Sequence, residues 1–354
     1  MHSSIHYLPD PAAAARPRYP DGWFALAYSR DVRPGALVVT RFMGEDVVLY
    51  RTASGLIRAV APHCPHLGAH LGHGGIVRGE EIVCPFHHLA FAPDGTCVRA
   101  GRDGKPPAAV LRQRHVCEWN GVVLAWQDRA GAAPRWSLPE LDLAGYSRPR
   151  GRCHTLNGSL QNPAENGVDV NHFSPVHGWS NPVLEPPEAD GHRMTMRSTL
   201  VLLGQRLLLD ITMHGLGCMA ARMELPDLGL HARVVLFPTQ IEPDRWTCRE
   251  FIALRVERAS AWPSPLRRAL HEMLVSAAYR LWFVPQFKRD LRIWDHRDYD
   301  ARPTLMAGEM PIMTFRRWAA QFYPEARGDA PDGQHGQHGA VPAAVAHADR
   351  AFAR

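Results

Sequence analysis

Lysine is nearly absent from this chain: among its 40 basic residues only Lys105 and Lys288 are not arginine. The arginines are scattered and answered by 35 acids, so a net charge of +5 over 354 residues gives no basic stripe for nucleic acid. No run approaches the ~18 apolar residues that a membrane span needs; the longest, such as Leu200 to Leu203, are strand-sized. The first residues, MHSSIHYLPDPAAAARPRYP, lack a charged start followed by an apolar core, so no export signal is expected. Cysteine is scarce and odd in number, seven in a long chain, which excludes a disulfide framework and points to a reducing cytoplasm. A hydrophobic content of 45% with 21% charged residues excludes a wholly disordered or fibrous chain, and the length suggests two domains. Histidine is what the chain has in surplus. Six of its 20 (His63, His66, His70, His73, His87, His88) fall within 26 residues, and imidazole is the commonest metal ligand.

Along the chain, residues 1–20 read as a loose Pro- and Ala-rich arm. From Trp23 the texture is β, with ALVVTRF, DVVLYRT, GLIRAVA and GVVLAWQ separated by Gly-bearing turns. A first domain over 21–135 and a second over 136–327 are expected, with the boundary in the Pro-rich stretch 130–149. The second domain opens with a helical segment near 158–173, returns to β texture over 193–257, and has helical spacing from Pro265 to Trp282, where Pro285 should break or kink the helix. Residues 328–354, rich in Ala, Gly, His and Asp, should be disordered. The elements are segregated rather than alternating, which is the α+β class.

Two turns carry the first constellation. Cys64-Pro-His66 is followed by 17 residues and then by Cys84-Pro-Phe-His87, with the Gly-rich LGAHLGHGG between. Two soft thiolates and two imidazoles in paired turns suit either Zn²⁺ or a [2Fe–2S] cluster whose irons take two Cys and two His respectively. The C-x-H half is unlike the spacing of zinc fingers. C-x-H-x₁₇-C-x₂-H resembles the Rieske ferredoxin signature, and CPHLGAHLGHGG with CPFHH is similar to its oxygenase branch. The resemblance implies that Cys64, His66, Cys84 and His87 hold a [2Fe–2S] cluster. High-potential Rieske proteins carry a further Cys in each loop; here Pro65, Pro85 and Phe86 stand there, so fewer hydrogen bonds reach the sulfurs and the potential is expected to be lower. His88-Leu89 departs from the family's Gly-Trp. Cys97, Cys117, Cys153, Cys218 and Cys248 read as packing or surface residues.

The second constellation is NPAENGVDVNHFSPVH at 162–177. On a helix Asn162, Glu165/Asn166, Asp169 and His172 share one face, and Pro175 should end the helix so that His177 swings back beside His172. Two imidazoles and one carboxylate form the facial triad of non-haem Fe(II) oxygenases. The residues alone leave Asp290, Asp295, Asp298 and Asp300 as candidates for the carboxylate. Glu165, Asp169, His172 and His177 resemble the mononuclear-iron motif of the Rieske oxygenases, which implies His172 and His177 as iron ligands, Asn166 near the iron, and Asp169 as a bridge from His172 to a cluster histidine of the neighbouring subunit, here His87. RDLRIW with the later FRRWAAQFYP resembles the 3-ketosteroid 9α-hydroxylase and sterol-desaturase subgroup, whose pattern puts the carboxylate on Asp290, with Asp295 second.

The resemblance implies an all-β Rieske domain followed by a helix-grip domain, an antiparallel sheet around a long helix. It implies a monooxygenase-type enzyme using O₂ and two electrons from NAD(P)H through a reductase and a ferredoxin, assembled as a homotrimer. The substrate is expected to be bulky and hydrophobic, steroid-like or polycyclic, undergoing hydroxylation, desaturation or cyclisation in a cavity lined by Met194, Met196, Met213, Trp282 and Phe283. A Rieske electron carrier without oxygenase chemistry is the alternative.

Overall fold

The run Gly22–Tyr28 is buried along its whole length, because each of its faces enters a different core. Phe24 and Leu26 point into one cluster, Trp23 and Ala25 into another. It pairs antiparallel with Val122–Gln127, which in turn pairs with Val116–Trp119. A second sheet joins Leu37–Phe42, Glu45–Arg51, Ile57–Val60 and Gln113–Arg114, and a third, smaller one joins Ile76–Arg78, Glu81–Val83, Ala90–Phe91 and Cys97–Arg99. The third sheet shares a small core with the second, in which Cys64, Cys84, Leu71 and Phe91 pack with Val48, Tyr50 and Val60. In this computed structural model residues 19–101, 104–299 and 302–323 are described; the tail at 328–354, and the expected arm apart from Tyr19 and Pro20, lie outside them.

The stretch 130–149 carries neither helix nor strand, yet it is tied down. Its main-chain carbonyls accept from the indoles of Trp23, Trp119 and Trp126 and from the Asn120 amide. After it, seven strands run antiparallel in the order Arg150–Asn157, Arg245–Val256, Leu230–Glu242, Met219–Leu225, Gln205–His214, Arg193–Leu202 and Ser180–Leu184, with Glu188–Asp190 as an eighth on Arg193–Leu202. In Arg193–Leu202 every second residue is buried, the alternation of a sheet with one covered face.

Five α-helices complete the described chain: α1 (Gln161–Asn166), α2 (Phe173–His177), α3 (Ser264–Ala278), α4 (Val284–Trp294) and α5 (Met310–Ala320). α3 and α4 form one continuous rod through a π turn at Tyr279–Phe283. His271, Val275, Tyr279, Phe283 and Phe287 recur every fourth residue and are buried, so this rod is the helix the sheet grips. Pro285 does not break it. Pro285 sits in the first turn of α4, where the wider π turn just before it absorbs the missing N–H donor.

The single helix expected near 158–173 is likewise not one helix. α1 ends at Gly167, and Asp169 then caps a short 3₁₀ turn, Val170–His172, by accepting the Asn171 N–H. A helix that competes with a local side-chain cap two residues ahead gives way to it. Pro175 lies inside the first turn of α2 and is tolerated there; Gly178, at φ 71°, ends the helix.

The two halves are joined by direct bonds. Tyr28 Oη donates to the carbonyls of Arg152 and Glu250, Thr239 Oγ1 donates to the Ala25 carbonyl, and the Met43 and Gly44 N–H groups donate to Gln240 and Ile241.

Candidate metal centres

The two cysteine loops have the same backbone. The Cys64 N–H donates to the Ala69 carbonyl and Gly68 N–H to that of Cys64; the Cys84 N–H donates to Leu89 and His88 N–H to Cys84. The fifth residue of each loop takes a left-handed conformation, Gly68 at φ 74° and His88 at φ 55°. The departure to His88-Leu89 therefore places a side chain where the first loop uses glycine, at a backbone cost of about 1–2 kcal/mol. Leu89 packs into the small core. Gly101 must be glycine, since a Cβ there would meet the His87 carbonyl at 1.9 Å.

Both thiols are buried while His66 and His87 stand exposed at the tips, their rings 4.8 Å apart. Burial pushes the Cys64 thiol up to about 11, with Cys84 beside it adding to the rise. Adjacent buried thiols of this kind ionise when a metal takes them. Two sulfurs inside and two imidazoles outside match a two-iron cluster whose irons differ in ligand type.

The ligand atoms of His172, His177 and Asp290 lie within 4.8 Å of one another. α2 supplies His177, the 3₁₀ turn His172, and α4 Asp290. His177 Nδ1 meets Gln286 Oε1 at 3.2 Å and His172 Nδ1 meets the main-chain carbonyl of Asp169. Each contact takes the Nδ1 proton and leaves Nε2 as a free lone pair. His177 Nε2 then faces Asp290 Oδ1 at 3.2 Å, an approach of two electron pairs that a cation between them stabilises. Burial holds the His172 imidazole below its usual range, against the pull of Asp290 and Asp169, so it is neutral and ready to ligate. Asn166 Nδ2 lies 3.4 Å from Asp290 Oδ1. This donor set fits a ferrous ion with open positions.

Other candidates are placed elsewhere. Asp295 accepts the Asn157 N–H and side-chain amide at 2.8 and 3.1 Å, and Asp300 lies outside the described residues. The Asp169 carboxylate is 3.8 Å from His172 Nδ1, so its main-chain oxygen, rather than its side chain, makes the near contact. Glu165 is buried and clamped by Arg297 and by Arg316, whose Nε is 2.6 Å away. The clamp ties α1 to α5 and to the segment after α4. Glu165→Ala removes the buried carboxylate that Arg297 and Arg316 share, for a loss of about 3–5 kcal/mol. In a thermal melt this lowers Tm on the order of 10 °C, and a change within 2 °C or so would refute the clamp.

The triad opens into a cavity lined by 20 residues. Its polar lining consists of the triad and the two residues touching it, Asn166 and Gln286; the remainder is apolar or indole, including Trp179, Leu209, Met223 and Trp282. Trp282 and Phe283 line it as expected. Met194, Met196 and Met213 do not, and are core residues instead. They are on the correct face of the sheet, but Met194 and Met196 stand one strand beyond the cavity floor and Met213 at the far end of its strand. Gln286 was not anticipated, although its place one helical turn before Asp290 is visible in the sequence.

An all-β domain with two paired cysteine–histidine loops, followed by a helix-grip domain with a 2-His-1-carboxylate centre, defines a Rieske non-haem iron oxygenase. The Rieske [2Fe-2S] domain profile matches residues 22–111, and that of the 3-ketosteroid 9alpha-hydroxylase C-terminal domain matches 125–323. The chain belongs to this family of oxygenases, an oxidoreductase with a Rieske cluster and a mononuclear iron, and the second match sets aside the carrier-only reading. It is 33% identical over 335 residues to the cholesterol 7-desaturase of Bombyx mori, covering 87% of this chain and 70% of that one. It is 23% identical over 338 residues to the probable 3-ketosteroid-9-alpha-monooxygenase oxygenase component of Rhodococcus rhodochrous, covering 89% and 82%. Dicamba monooxygenase bound to dicamba shares the fold at a TM-score of 0.63 and 16% identity, over 88% of this chain and 99% of that one.

Proposed function

We propose that this enzyme oxidises a bulky, rigid, apolar substrate of the sterol class, by hydroxylation or desaturation, with His172, His177 and Asp290 holding the mononuclear iron and Cys64, His66, Cys84 and His87 the cluster. The observation that carries this reading is a cavity whose polar groups are confined to the triad and its two contacts. A substrate rich in polar groups would find no partners along the rest of the wall. The sterol class is also what the names of the two relatives describe.

When bound, the iron supplies dioxygen activation with electrons passed on from the cluster. The chain's own residues prepare for it. Gln286 and the Asp169 carbonyl fix both imidazole tautomers, Asn166 steadies the Asp290 carboxylate, and Trp179 stacked on Trp282 walls the centre from water. Among the described residues no hydrogen bond or ring contact joins the cluster loops to the triad of the same chain. The motif resemblance supports a head-to-tail homotrimer in which His87 of one subunit meets Asp169 of the next. NAD(P)H reaches the cluster through a reductase and a ferredoxin, and the enzyme works in the cytoplasm.

The test is product analysis by mass spectrometry with isotopically labelled oxygen gas, the holoenzyme, a reductase system and a panel of sterols, ketosteroids and planar aromatics. A steroid product gaining one labelled oxygen establishes hydroxylation; one lighter by two hydrogens and unlabelled establishes desaturation. Turnover of the aromatics alone would overturn the sterol reading.

A further inference from the structure

Among the described residues nothing covers the outer face of the α3–α4 rod, and its composition is unusual. Trp262, just before α3, is 48% exposed, and Leu266, Met273 and Leu281 are 60%, 61% and 79% exposed. Leu266 and Met273 are seven residues apart, two turns of helix, and so lie on one line. Leu281 is eight further on, which would swing it off that line. Leu281 lies within the π turn at Tyr279–Phe283 and is the most exposed of the four. The same turn sets Trp282 and Phe283, the next two residues, into the cavity wall. One end of the exposed stripe therefore adjoins the substrate cavity.

The charge beside this stripe is of one sign. Arg268, Arg280, Lys288, Arg289 and Arg292 are exposed along the rod. Its acids are Glu272 and Asp290. Glu272 is taken by the Arg148 N–H and Arg150, and Asp290 is buried against His177. A basic helix face with a Trp-Leu-Met-Leu stripe is the composition of a helix lying in an anionic lipid interface. No helix among the described residues is long and apolar enough to cross a membrane, so the contact is a surface one.

We infer that the outer face of α3–α4 docks on an anionic phospholipid bilayer, placing the cavity where an apolar substrate dissolved in that bilayer can enter. The entry role rests on the sterol reading; the docking itself does not. An acidic electron-transfer protein would answer the charge, but a strongly acidic surface is a poor cover for three exposed aliphatic side chains and an indole. The bilayer answers both.

The experiment is co-sedimentation of the full-length holoenzyme with vesicles of phosphatidylcholine alone or mixed in equal parts with phosphatidylserine. Binding is expected to the mixed vesicles, to weaken as salt rises, and to fall by about tenfold for each of Leu266→Glu, Met273→Glu and Leu281→Glu. Arg268→Glu with Arg280→Glu should give a similar loss. These variants should keep the wild-type cluster spectrum and wild-type turnover of a soluble, cyclodextrin-carried steroid while losing turnover of the same steroid offered in vesicles. Equal binding by wild type and the triple Glu variant overturns the proposal. So does a change of oligomeric state in that variant, which would make the stripe a subunit interface, or a loss of reductase coupling alone, which would make it the donor's site. Vesicle binding without turnover of any steroid would leave the docking standing and refute the sterol reading.

Discussion

Asp290→Ala is expected to leave a brown protein that no longer turns over substrate. Asp290 is the carboxylate that converges with His172 and His177, and among the described residues no hydrogen bond or ion pair joins it to the cluster loops. Its loss should take the mononuclear iron and leave the cluster, lowering iron from about three to about two atoms per chain. Without that centre, turnover should fall by ~10³-fold or more, while the rhombic signal of the reduced cluster stays unchanged. Asp295→Ala is the matched control. Asp295 caps the Asn157 amide groups, so its removal costs about 1 kcal/mol of stability and should leave all the iron and most of the activity. Iron analysis and a melt on both variants decide the matter. Retention of about three iron atoms by Asp290→Ala, or loss of one by Asp295→Ala, would return the ligand to the open set of acids.

Sequence spacing alone could not choose among those acids, because a carboxylate that ligates and one that caps a strand look the same in one dimension. The candidate ligands were legible where chemistry demands a residue type at a fixed spacing, as in Cys64, His66, Cys84 and His87, or where two imidazoles lie one short turn apart. The supporting groups were not. Glu165 stands in a recognisable motif, but its partners Arg297 and Arg316 come from segments more than 130 residues away. The helix break after α1 was hidden because Asp169 reads equally well as a helix-face residue or as a cap, and the local hydrogen bond to Asn171 decides. The rod persists through Pro285 because the π turn precedes it, and no propensity at Tyr279–Phe283 announces a π turn. The methionine stripe failed for a different reason: strand alternation predicts the face of a sheet but not which strands lie under the helix.

On the proposed intersubunit route, Asp169 separates holding the iron from feeding it. Its main-chain carbonyl, not its carboxylate, makes the near contact with His172 Nδ1, so removing the carboxylate leaves the tautomer and the iron in place. The carboxylate side chain is 26% exposed beside a His172 side chain at 13%, within reach of a neighbouring molecule. Asp169→Asn preserves a cap for the Asn171 N–H and should keep about three iron atoms per chain, yet slow substrate turnover by about 100-fold. Direct evidence for the crossing comes from two dead variants. Asp290→Ala has a working cluster and no triad; Cys84→Ser has a triad and no working cluster. If electrons pass within one chain, co-assembled oligomers of the two are as inactive as either alone. If they pass from His87 of one subunit through Asp169 of the next, the mixed ring contains competent pairs and recovers a substantial fraction of wild-type activity. Adding Asp169→Asn to the Cys84→Ser chain should abolish that recovery, whereas adding it to the Asp290→Ala chain should not. The asymmetry follows because only the chain with the working triad receives the electron. Equal effects on both chains, or no recovery in a verified mixed oligomer, would rule out the intersubunit route.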